Sequence, residues 1–213
     1  NNLAEDEKYF KVLARMKSAM LDYMVKTKDA GVLPESYMIA KSSGRAPYDM
    51  LREDKIDYER ILEAAMLASE NDKQNIPKLK KMLDDSEPAC RYWGAKGLVF
   101  LEKEASEAKS ELKRVSKDTI ANIRYTAFNS LLNIGESPTS IVSSMLKDIK
   151  DCLGNVDKAK FYAGVHAANV LVIHSDKCKP YKKEILELNK EFKKDGNFYY
   201  FRSKFQHLLD LID

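Results

Sequence analysis

No stretch of this chain approaches the roughly 20 apolar residues that a membrane-spanning helix needs. Its apolar runs are short, such as Gly97-Leu98-Val99-Phe100-Leu101 and Val170-Leu171-Val172-Ile173. There is no large excess of one charge, with 36 basic against 33 acidic residues and a net charge of +3. A nucleic-acid binder concentrates Lys and Arg on one face. Here Lys78, Lys80, Lys81, Lys103, Lys113 and Arg114 are interleaved with acids. The expectation is therefore a solvated face, with no nucleic-acid partner and no membrane segment. The chain opens on Asn1-Asn2-Leu3 without an initiator Met or a basic segment followed by an apolar one. It reads as a fragment or a processed chain, and any targeting information of a parent protein is expected upstream.

Chemistry-bearing patterns are scarce. Three cysteines, Cys90, Cys152 and Cys178, have spacings that match no zinc or redox motif, and the odd count sets no disulfide framework. Cys90 sits in an apolar helical context and reads as a small buried hydrophobe. The three histidines, His166, His174 and His207, lack the spacing of a helical zinc site. His166 falls on an apolar helix and reads as a hydrogen-bonded core or groove residue. No glycine-rich phosphate-binding loop occurs. Asp84-Asp85 are neighbours, which do not face one another on a helix, and read as turn caps rather than an acid/base pair. These observations point to no catalytic residue, metal ligand or cofactor site.

What the sequence does have is helical periodicity. From Glu5 to Lys28, Phe10, Leu13, Met16, Met20 and Met24 recur at steps of three and four, which predicts a helix with one buried stripe. Gly31 and Pro34 are expected to end it. Residues 31–57 carry the breaker cluster Gly44-Arg45-Ala46-Pro47 and read as an ordered connector wrapping another surface, with one short helix near Ser36–Lys41. From Tyr58 on, helices are expected in pairs. These are Tyr58–Glu70 with Ile76–Asp84, Pro88–Glu102 with Ala105–Ser116, Thr119–Ile134 with Pro138–Lys150, and Val156–Ile173 with Pro180–Lys193, followed by Phe198–Ile212. Asp85 or Ser86 is a candidate cap before Pro88, and Ser137-Pro138 reads as an N-cap and first helical position. Gly135 and Gly196 stand where helices should stop.

The pairs repeat. Arg91-Tyr92 and Arg124-Tyr125 lie 33 residues apart, as do Leu98 and Leu131, and Leu79, Leu112 and Met145 keep the same step. Such positions are apolar because a helix pair cannot bury its face alone and must share a core with its neighbours. The fourth pair breaks the period, aligning at 39 through Leu131 and Val170 or at 37 through Tyr125 and Tyr162. The expected fold is all-α, a right-handed α-α superhelix of HEAT-like repeats. The expected division is 1–57 and 58–213.

On these residues the chain resembles the C-terminal region of bacterial sulfatases of the arylsulfatase and heparan N-sulfatase type. Asn1-Asn2-Leu3-Ala4 is similar to the signature closing the sulfatase C-terminal subdomain, and the helix after it matches the subdomain's last helix, with Tyr23 where tryptophan is common. Lys28 to Glu35 and Gly44 to Met50 resemble the family's connector. Ile61 to Trp93 resembles the opening of its HEAT extension. The strand and turn that precede the signature in the family are absent, and residues after about 150 depart from the pattern. Cys178-Lys179-Pro180-Tyr181-Lys182 is a near miss to the Cys/Ser-x-Pro-x-Arg maturation motif. It ends in Lys and lacks the Thr-Gly that follows in the family.

The resemblance implies a non-catalytic HEAT-like domain of a periplasmic or secreted sulfatase. Its catalytic domain, with calcium and formylglycine, would lie outside this chain and hydrolyse sulfate esters or sulfamates. The expected partner is that catalytic domain or another protein; the alternative is a free-standing HEAT scaffold. The candidate interface residues are Arg91, Tyr92, Trp93, Arg124, Tyr125, Tyr199 and Tyr200. Arg91 and Arg124 read as reaching to a turn carboxylate or carbonyls of the neighbouring repeat. Tyr92-Trp93 reads as core packing or a docking surface. Phe198-Tyr199-Tyr200-Phe201 cannot hide four rings on one helix face, so it caps the repeats or meets a partner.

Overall fold

The computed structural model describes residues 2–153, 157–194 and 198–213, which are all helix, turn or irregular chain with no strand. The expectations placed on Asn1, Val156 and Gly196 fall outside the described residues. The N-terminal part holds α1 (Phe10–Thr27), α2 (Glu35–Ser42) and α3 (Pro47–Glu53). The series continues with α4 (Tyr58–Ser69), α5 (Ile76–Met82), α6 (Pro88–Phe100), α7 (Lys109–Val115), α8 (Ala121–Asn133) and α9 (Pro138–Lys150). It ends with α10 (Lys158–Ile173), the single-turn α11 (Ser175–Cys178), α12 (Lys182–Lys194) and α13 (Tyr199–Ile212).

Capping chemistry sets these boundaries. Asp57 accepts from the Arg60 amide at the start of α4, and Asp157 accepts from the Ala159 and Lys160 amides at the start of α10. Before α6 the cap is Glu87, which accepts from the Ala89 amide, not Asp85 or Ser86. Asp85 instead accepts from the Glu87 amide one step earlier. Pro88 and Pro138 occupy first-turn positions, where a missing N–H costs nothing. Gly135 ends α8 with φ +86°, a left-handed conformation that glycine adopts without strain. The Ala105–Ser116 segment divides into a 3-10 stretch at Glu102–Ala108 and the shorter α7.

The helices pack in succession. α6 lies between α4 and α8, and α8 lies against α10. α5, α7 and α9 pack chiefly on α6, α8 and α10 respectively, each second helix bridging to the next pair. The 33-residue step falls on the seam: Leu79, Leu112 and Met145 are all buried, as are Leu98 and Leu131. Each such side chain removed from water contributes roughly 1.5–3 kcal/mol. The α6 backbone comes very close to its neighbours. A Cβ built at Gly97 would stand 2.6 Å from Leu79 Cδ2 and 3.1 Å from Ala68 Cα. At the C-terminal end, Phe192, Phe198, Phe201 and Phe205 form a ring cluster joining α12 to α13, with Phe161 of α10 against Phe198 and Phe201.

Two expectations need correction. The α1 stripe is not buried: no residue of α1 is, and Met16 and Tyr23 are 63% and 67% exposed. Periodicity shows that a helix has an apolar face, not that something covers it. The helix also ends before Gly31, where Lys28 takes a left-handed backbone. The connector, second, holds a further helix, α3, and packs on this chain's own helices. Val32, Leu33, Met50 and Leu51 are buried with Tyr58, Ile61 and Leu62 of α4 and with Ala89 and Cys90 of α6. α2 reaches across to α10. Hydrogen bonds pin this path: Tyr58 Oη to Asp29 O at 3.0 Å, Trp93 Nε1 to Val32 O at 2.8 Å, and Tyr37 Oη to Glu87 Oε1 at 2.8 Å. Arg45 forms a fork on Asp54 with both distances at 3.0 Å.

Candidate functional site

The repeated arginines face their neighbours' acids. Arg91 Nε donates to Asp118 Oδ2 at 2.8 Å while its Nη1 donates to Asp85 O at 2.8 Å. One repeat on, Arg124 Nη2 donates to Asp148 Oδ2 at 3.1 Å and Nη1 to Asp118 O at 2.8 Å. One repeat back, Arg60 pairs with Asp85. The Arg91 and Arg124 guanidinium groups so tie the turn before their own helix to an acid further along the chain, a use that suits a rigid fork of donors, whereas Arg60 reaches only the acid. Tyr125 is buried and donates to the same Asp148 Oδ2 at 2.9 Å; its hydroxyl pKa is raised by burial and by that carboxylate.

Tyr92 and Trp93 lie half-buried on the other face of α6, ring centroids 5.4 Å apart in an edge contact. The indole is held by the connector through its bond to Val32. Their surroundings unite three helices. α10 presents Tyr162, Val165, His166, Asn169 and Ile173 at helical spacing, α8 presents Asn122 and Asn129, and α6 presents Lys96 below Tyr92. His166 Nδ1 and Asn122 Nδ2 are 2.9 Å apart. The His166 ring meets Tyr92 and Tyr125 edge-on at 6.4 and 6.0 Å. Burial, with Lys96 adding to it, pushes His166 down to about 4. Asn129 Oδ1 lies 2.8 Å from His174 Nε2, and burial likewise pushes His174 down to about 4. This grouping was not foreseen as a site. Its signal was polar residues (Asn122, Asn129, His166, Asn169) on otherwise apolar helices, which spacing alone does not bring together.

Tyr199 and Tyr200 are separate from that face. They are 62% and 60% exposed on α13, while Phe198 and Phe201 beside them are buried, so the four rings divide two and two. Arg202 lies over the Tyr199 ring at 5.5 Å. The seven candidate residues therefore fall in three places: the arginine–acid series with Tyr125, the α6 face with Tyr92 and Trp93, and the start of α13.

Cys178, in the near-miss motif, is fully buried with its thiol against the Leu171 and His174 carbonyls, and burial pushes it up to about 12. A buried thiol of that kind is a poor nucleophile at neutral pH. Among the described residues no group of three or more His, Cys, Asp or Glu side chains is arranged to hold a metal ion. No described helix is long and apolar enough to cross a membrane. Of the basic residues on the second helices, Lys80 pairs with Glu111, Lys113 with Glu136 and Arg114 with Asp84. Comparison with protein-family models, curated proteins and solved structures gave no match for this chain.

Proposed function

We propose that this chain is a non-catalytic helical-repeat scaffold of HEAT type, a right-handed α-α superhelix serving as the C-terminal accessory domain of a sulfatase-like protein. The observation that carries the reading is α1. It is an amphipathic helix of 18 residues with its apolar side toward solvent, touching the rest of the chain mainly through its last turns and α4. A face of that kind is a docking element whose partner is another surface. In this reading the partner is the catalytic unit that precedes α1, which would carry calcium and formylglycine and act on sulfate esters or sulfamates. The helix pairs hold that unit rigidly and perform no chemistry. The sulfatase-type segments at Lys28–Glu35 and Gly44–Met50 support the assignment.

A second reading, a free-standing HEAT scaffold for a protein partner, is favoured by the connector, whose buried residues pack on this chain's own α4, α6 and α10. One experiment separates the two. The coding sequence upstream of Asn1 is read and expressed as a separate protein, and its binding to this chain is measured by calorimetry. The accessory-domain reading expects a formylglycine motif in that upstream protein and saturable binding. It also expects that binding to be lost in the double variant Met16→Glu, Met20→Glu, with no aryl sulfate turnover by this chain alone. An upstream region without the motif, or binding indifferent to both substitutions, contradicts it.

A further inference from the structure

α4 meets α1 along a groove of about 520 Å³. Leu21 and Val25 of α1 form one wall, and Leu62, Met66 and Leu67 of α4 form the floor. Leu62 is buried and the other four are half-buried, so this apolar surface is only partly covered by the chain itself. Met66 supplies an unbranched, polarizable side chain that adapts to the shape laid against it.

The charge around this groove is mostly of one sign. Glu59, Glu63 and Glu70 line it and are exposed, and Lys78 of α5 is the one base among its lining residues. Steps of four and seven residues set the three carboxylates within roughly 40° of one another around α4, along roughly 16 Å of its axis. Glu59 and Glu63 form no ion pair among the described residues, and Glu70 is met by the Asn75 side-chain amide alone. Helix stability does not account for this stripe. Glu59 suits the first turn of α4, but Glu63 repels it from four residues on, and Glu70 caps the C-terminal end, where the helix dipole disfavours an acid. Nor does average charge account for it, since the chain as a whole carries +3.

We propose that the groove between α1 and α4 receives an amphipathic helix from a protein partner. Its apolar side turns to Leu62 and Met66, and Lys or Arg along its edge meet Glu59, Glu63 and Glu70. The length of the acidic stripe decides for a helix: it matches about three helical turns, more than a small molecule spans. Apolar anchors at steps of three and four, edged with cations, are what such a surface complements. The site does not rest on the docking of α1 to an upstream unit. Val25 lies roughly 180° around α1 from Met16, so the two surfaces are on opposite flanks of that helix.

The test is a titration of this protein with a synthetic amphipathic helix of about 15 residues built only from Leu and Lys, long enough to stay helical once bound. A counterpart with every Lys replaced by Glu is titrated beside it. Calorimetry and the Met66 methyl resonance follow binding. The expected result is a saturable Met66 shift with the Leu/Lys peptide, weakened by salt, and none with the Leu/Glu peptide. The double variant Glu59→Lys, Glu63→Lys should lose about tenfold in affinity. The control Glu184→Lys, Glu187→Lys, exposed on α12, should lose less than about twofold. Binding should not fall in Met16→Glu, Met20→Glu, so a failure of the α1 docking reading leaves this one standing. An unmoved Met66 methyl, equal binding of the Leu/Glu peptide, or equal losses in the two charge-reversed variants would each overturn the proposal. A Met66 shift on simple dilution would assign the groove to a second copy of the chain and overturn it too.

Discussion

Arg91 and Asp118, 27 residues apart in sequence, meet through two hydrogen bonds, Nε to Oδ2 at 2.8 Å and Nη2 to Oδ1 at 3.4 Å. Both side chains are largely withdrawn from solvent. The pair joins the start of α6 to the turn before α8. Asp118 in turn accepts from the Ile120 amide and offers its carbonyl to Arg124. Arg91→Met should leave Asp118 short of a partner in a half-buried site and cost roughly 1–3 kcal/mol. Urea unfolding measures it. A double-mutant cycle with Asp118→Asn should show coupling, whereas independent losses would mean that the two turns do not depend on each other.

Close packing of α6 gives a second expectation. Gly97→Ala places a methyl carbon within 3.1 Å of the α4 backbone, which cannot yield as a flexible side chain does. A loss of about 1–3 kcal/mol is expected from overpacking. In an exposed helix the same change would stabilise by roughly 1 kcal/mol. Chemical denaturation decides the sign, and a stabilised variant would show that α4 and α6 are further apart than described.

Much of this architecture was legible in the sequence, for identifiable reasons. α9 spans Pro138–Lys150 as expected, since Ser137-Pro138 fixes its entry. The triplet Leu79, Leu112 and Met145 is buried because a repeating seam must be filled at the same register. α3 escaped notice because seven residues beginning at Pro47 are too few to show a period. The exposure of α1 escaped because amphipathicity carries no information about the covering surface. The Lys96–Asn122–His166 grouping escaped because its members come from three helices, and only folding brings them to one cavity.

Acid should weaken the fold before the carboxylates respond. His166 and His174 are both held down at about 4 in the folded chain, against an ordinary value of 6.5. The unfolded chain therefore takes up protons near 6.5 that the folded chain refuses. Stability is complete above that pH and falls as pH drops toward 4. Between pH 6.5 and about 5 most acids remain ionised, so the histidines dominate this window. The urea midpoint should decline there, and less steeply in His174→Gln. A midpoint that rises toward pH 5 would mean these rings are charged in the folded state.

The reading of α1 as a docking helix is tested most directly by amide hydrogen exchange on this chain alone and on the polypeptide encoded with its upstream sequence. In the isolated chain the amides of 10–20 should exchange fast, while those of α4, α6 and α8 are protected, because only the latter are sealed by packing. In the longer polypeptide the 10–20 amides should become protected to a degree comparable with α6. If they exchange equally fast in both, nothing covers α1 and the accessory-domain account is wrong.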